Sequence, residues 1–146
     1  MATTADAELI LKLYELRREP TMRAARTWIS TFNPASCDEI IALQRNMGSV
    51  ENGYWRQVLS YWDMAAAFVL HGVLDPDLFL ACNGEFIFIY AKFTPFLEEY
   101  QKIIGQPFMR QTAKMIETYP AMKDRYNYML GMMEARRKRE ATATAS

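Results

Sequence analysis

The stretch of residues 50–71 does most to constrain the fold of this chain. Tyr54, Trp55, Val58, Leu59, Tyr61, Trp62, Ala65, Ala66, Phe68, Val69 and Leu70 cover most of a helical circumference there, and Arg56, Ser60 and Asp63 leave only a thin polar stripe. A helix that is apolar nearly all round has to be surrounded by other elements. The remaining chain must supply those neighbours, and its prolines and glycines cut it into helix-sized pieces that can do so.

A first helix is expected over residues 6–18, with Leu9, Ile10, Leu13, Tyr14 and Leu16 facing inward and Glu8, Lys12, Glu15 and Glu19 in one solvated stripe. Pro20 separates it from a second, residues 21–32, which Asn33-Pro34 stops. Ser36 and Glu39 have the spacing of a capping box for a third, residues 37–46, and Gly48 is placed to close it. The segment Glu85-Phe-Ile-Phe-Ile-Tyr-Ala-Lys-Phe93 has the composition of a strand. No second strand candidate exists to pair with it, so it is assigned to a buried helix within residues 76–104, kinked or restarted at Thr94-Pro95. Gly105 ends that piece and Pro107 opens residues 108–118. A last helix covers residues 121–139. The expectation is an all-α bundle of about six to seven helices around the aromatic central one. It forms a single domain over residues 6–139, with disordered ends at 1–5 and 140–146.

The lone histidine lies in Phe68-Val-Leu-His-Gly-Val-Leu-Asp-Pro76. A histidine in a last helical turn, followed by glycine, reads as a helix stop, and Asp75-Pro76 as the cap and first residue of the next helix. One histidine without a glutamate three residues before it does not build a carboxylate-bridged metal pair, and no metal or cofactor is expected. Cys37 and Cys82 are isolated in apolar surroundings and read as buried thiols. Glu98 and Glu99 are adjacent, so they diverge on a helix and favour its dipole rather than share a proton. Glycine-rich phosphate loops are absent, and Ser60 has no histidine base, so no catalytic constellation is expected.

Lysine plus arginine and aspartate plus glutamate both number 17, a net charge of zero. Nucleic acid is therefore not an expected partner. Such a balance also gives little electrostatic protection against self-association. No transmembrane segment and no secretory leader are expected, which makes the cytoplasm the default location.

Residues 55–117 resemble a family of bacterial all-helical proteins of unknown function. Trp62-Asp63, Gly72-Val73-Leu74-Asp75, Phe93 with Pro95-Phe96, and Gly105-Gln106-Pro107 carry the resemblance. It implies an all-helical fold and no particular activity. Many members of that family begin with a membrane helix, and none is expected here.

Two surfaces are candidates for function. Met122, Tyr126, Met129 and Met133 fall in one stripe of the last helix, followed by the basic run Arg136, Arg137, Lys138 and Arg139. Methionine adapts to many shapes, so this stripe is either core or a surface for another protein chain, a second copy first of all. The basic run offsets the helix dipole or meets an anionic surface. The second candidate is a pocket for a small molecule with a polar floor of Arg56 and Asp63 and aromatic walls of Tyr54, Tyr61 and Trp62. The leading expectation is a non-enzymatic interaction or assembly protein; the alternative is a small-molecule binder.

Overall fold

The computed structural model describes residues 1–145. All regular structure among them is helical. Nine α-helices are present: α1 (Thr4–Arg18), α2 (Pro20–Thr31), α3 (Cys37–Arg45), α4 (Val50–Leu70), α5 (Pro76–Cys82), α6 (Glu85–Phe93), α7 (Leu97–Ile104), α8 (Arg110–Thr118) and α9 (Pro120–Ala145). A 3-10 turn, Thr94–Phe96, joins α6 to α7. The all-helical bundle is the one expected, with more helices because residues 76–104 divide. Asn83-Gly84 ends α5 before α6 begins, and Pro95 restarts the chain as α7.

Helix α4 is central. It packs along α2 on one side and α8 on another, with α3 against its first turns. Trp55, Val58, Trp62, Ala65, Ala66 and Val69 are fully buried on it. Two aromatic clusters grow from it. Trp55, Phe93 and Phe108 meet with ring centroids 5.2–5.7 Å apart. Towards the other end Trp62 meets Phe86 at 5.9 Å, and Phe86 stacks on Phe79 at 5.2 Å. Such pairs add about 0.5–1.5 kcal/mol each beyond the area they bury.

The link after α4 ends as expected. Gly72 adopts φ 73°, its N–H bonds to the Val69 carbonyl at 3.1 Å, and the Val73 N–H reaches back to Phe68 at 2.9 Å. This is a Schellman closure with glycine in the left-handed position. His71 is the residue before it and is exposed; its backbone N–H bonds to the Ala67 carbonyl. Asp75 caps α5 through the Leu78 N–H at 2.8 Å. The Asp75 N–H is taken in turn by the Asp6 carboxylate at 2.7 Å, which ties the start of α1 to the start of α5.

Several local expectations are corrected. Ser36 makes no side-chain cap; Glu39 instead accepts from the Ala35 N–H at 2.9 Å. α3 ends at Arg45 with Asn46, not Gly48, as its C-cap, and Gly48 has no left-handed φ. α8 begins at Arg110, after Met109 at φ 45°, rather than at Phe108. Cys37 is buried, but Cys82 is exposed at the end of α5. Of the α1 residues expected to face inward, only Ile10 and Leu13 are buried and Leu9 partly so, whereas Tyr14 and Leu16 are exposed, because α1 touches α2 and α5 along a narrow strip. At the termini, α1 starts at Thr4, where Thr3 and Asp6 form a capping box, and α9 runs on past Arg139 to Ala145. Helix thus occupies much of the two ends assigned to disorder, and Ser146 lies outside the described residues.

Candidate functional site

The polar stripe of α4 does border a hollow. Its volume is about 560 Å³, and Arg56, Ser60 and Asp63 line it together with the rings of Trp55, Tyr100 and Phe108. The loop from Gln106 to Met109 closes its far side. Three polar bonds shape the wall. Asn52, fully buried, donates to the Leu43 and Gln44 carbonyls at 2.8 and 3.2 Å, satisfying the last turn of α3. Its Oδ1 accepts from Arg56 Nε at 2.9 Å and so fixes the guanidinium. Trp55 Nε1 donates to Gln44 Oε1 at 2.7 Å.

Asp63 is engaged by the protein itself. Its Oδ1 accepts from the Thr112 N–H at 2.8 Å and from the Thr112 hydroxyl at 3.0 Å, and its Oδ2 from the Gln111 N–H at 3.3 Å. A carboxylate from α4 therefore caps α8, filling the place that Met109 cannot fill with its own side chain. Besides Asp63 the hollow is lined by the cations Arg56 and Arg110, by Ser60, and by Gln44, Gln106 and Gln111.

Tyr54, Tyr61 and Trp62 do not line this hollow, contrary to the expected pocket. At roughly 100° per residue, Tyr54 and Tyr61 lie about 140–160° round the helix from Arg56, and Trp62 about 120° the other way. Tyr54 is tilted against Trp28 with centroids 6.3 Å apart. The Tyr61 hydroxyl donates to the Leu13 carbonyl of α1, and burial pushes its pKa up to about 12. Trp62 Nε1 donates to Glu85 Oε1 at 3.1 Å.

Glu85 belongs to a network the sequence reading missed. Arg26 of α2 grips it from Nε, at 3.0 and 2.9 Å, and from Nη2, at 2.6 Å. Arg17 lies over the Trp62 ring, 5.4 Å from its centroid. A signal was available: Glu85 and Lys92 are the only charged residues in α6, and a charge in so apolar a helix needs a partner. Lys92 finds its own, donating to the Ile29 and Ser30 carbonyls at the end of α2, at 2.6 and 3.4 Å.

The stripe of α9 divides. Met122 and Tyr126 are core; Tyr126 packs its ring 5.4 Å from Tyr90 and shares a 2.7 Å hydrogen bond with the Thr94 hydroxyl. They are unavailable to a partner, which corrects their place in the expected interface. Met129 and Met133 are half-buried, and Arg136 and Arg137 are exposed. No group of three or more His, Cys, Asp or Glu side chains among the described residues is placed to hold a metal ion. No helix among them is long and apolar enough to cross a membrane.

Neither the curated proteins nor the solved structures include a match to this chain. A family model, described as a domain of unknown function (DUF4760), matches residues 2–119, which carries the resemblance back through α1, α2 and α3 and stops one residue before α9. With most of its length matched, and every helix up to α8 inside the match, the chain belongs to the DUF4760 family.

Proposed function

We propose that this protein works without catalysis, as an interaction module that pairs with a second copy of itself through the outer face of α9. The observation that carries the reading is the exposure of that helix. From Glu134 to Ala145 every residue is exposed, a length of about 18 Å at 1.5 Å per residue. Just before it, Tyr128 and Met132 stand four residues apart on one face, 67% and 52% exposed. Two i,i+4 ion pairs, Arg136 with Glu140 and Lys138 with Glu134, support the segment by only about 0.3–0.5 kcal/mol each. Covering Tyr128 and Met132 with another helix removes their apolar surface from water, which favours pairing on this face. A two-fold axis lets the same face serve on both copies, and the zero net charge opposes such pairing little.

The test is sedimentation velocity over a wide concentration range. The native chain should form a dimer, and the double change Tyr128→Glu, Met132→Glu should return it to a monomer with its helical circular dichroism intact. A native chain that stays monomeric throughout would refute the reading.

The hollow beside Arg56 and Ser60 favours a second reading, a small-molecule site. Its volume is in the range of small-ligand pockets, and its wall includes Met109, a non-glycine residue held at φ 45°. A metabolite screen followed by amide NMR should then move the Ser60 and Gln111 signals together; no movement with any compound counts against it.

A further inference from the structure

A second hollow lies between the link that follows α2, the outer side of α6 and the basic turn of α9. It is about 680 Å³ in volume. We infer that it binds a small amphiphilic anion, a carboxylate or similar oxyanion on an apolar body. The inference goes beyond the pairing of α9, since Tyr128 and Met132 do not line this hollow.

The walls supply both halves of that chemistry. Phe88, Phe96 and Met133 give it an apolar lining. Lys92, Arg136 and Arg137 place three cations around it, against the single carboxylate of Glu140, which leaves an excess of two positive charges. Glu140 is engaged by Arg136 Nε at 2.9 Å. The Lys92 ammonium is held in place by the α2 carbonyls, which use two of its three protons and leave one to donate. Arg137 retains a planar fork suited to a carboxylate or phosphate. An ammonium half-buried beside phenyl rings, without a carboxylate partner, is costly unless an anion joins it. A neutral apolar molecule would leave Lys92 and Arg137 without an anionic partner. A fully hydrophilic anion would leave the phenyl and thioether walls wet. An amphiphile satisfies both. Its head would also bridge α6 to α9, since Lys92 comes from the first and Arg137 from the second.

Isothermal titration of the full chain with decanoate, decanol and acetate tests this. Decanoate should bind at least about tenfold more tightly than either of the others, the loss expected for one charge-assisted contact or for the apolar tail. Lys92→Met and Arg137→Gln should each weaken decanoate about tenfold, while Arg139→Gln, outside the hollow, should not. Arg137 is exposed, so its variant retains the fold even if the Lys92 variant does not. Equal binding of decanoate and decanol, decanoate binding that both variants leave unchanged, or no binding of decanoate at all would overturn the proposal. Sedimentation with phosphatidylglycerol vesicles separates the sources of the anion. Attachment to vesicles without binding of dispersed decanoate would assign these cations to a membrane surface, and would overturn the proposal of a small-molecule site.

Discussion

Replacing Asp63 separates a structural carboxylate from one available to a ligand. In Asp63→Ala the Thr112 and Gln111 N–H groups lose their cap, which costs about 1 kcal/mol. The Thr112 hydroxyl also loses its acceptor in a fully buried position, adding about 1–3 kcal/mol. The sum is about 2–4 kcal/mol. With a urea m-value of about 2 kcal/mol/M, the unfolding midpoint should fall by about 1–2 M. Asp63→Asn keeps an oxygen that can accept the Thr112 N–H and loses mainly the charge at the helix start, about 0.3–1 kcal/mol. Urea titrations followed by circular dichroism measure both variants, and equal m-values would show that the two-state comparison holds. A loss below about 1 kcal/mol for Asp63→Ala would refute the capping argument. So would an Asp63→Asn loss as large as that of Asp63→Ala, because the charge alone would then account for the effect.

Two further perturbations probe the fold. Burial lowers the Lys92 pKa to about 8 from 10.5, so between those values the unfolded chain holds the extra proton and stability rises with pH; burial raises Tyr61 and Tyr90 to about 12 from 10.0, so above 10 the folded chain holds the extra protons and stability falls. Thermal melts across the alkaline range should pass through a maximum near pH about 10, with Lys92→Met removing the rising limb, and a steady decline from about pH 8 would contradict this. Gly72→Ala should cost about 1 kcal/mol through its left-handed φ of 73°, whereas Gly48→Ala, with no such φ and open space around it, should be near neutral in the same melts.

What was legible in the sequence follows from how local each signal is. α4 declared itself because an apolar surface all round one helix has a single consistent placement. The stop at Gly72 and the start at Asp75-Pro76 were equally readable, because their hydrogen bonds close within a few residues. The caps that failed are those where a distant or neighbouring group substituted for the local one. α8 is capped from α4, 48 and 49 residues away in the chain, so no reading of residues 105–110 could have found its start. Ser36 lost its role to Glu39, whose carboxylate reaches past it to Ala35.

The two candidate surfaces erred for a related reason. Counting polar residues on one face of α4 correctly grouped Arg56, Ser60 and Asp63, since helical periodicity alone fixes that. Adding Tyr54, Tyr61 and Trp62 by nearness in sequence ignored the same periodicity, and the structure sends those side chains to α2, α1 and α6. On α9 the stripe of Met122, Tyr126, Met129 and Met133 is continuous in pattern but not in surroundings. α6 and α8 cover its first half and run out before its second, so one stripe begins as core and ends at the rim of a hollow. Sequence periodicity gives the direction in which a side chain points, whereas burial depends on how far the neighbouring helix extends. Both α6 and α8 are nine residues long, against twenty-six in α9, and that difference in length is what exposes Tyr128, Met132 and the basic turn. The groups with the most scope for recognition therefore sit where a long helix outlasts its short partners.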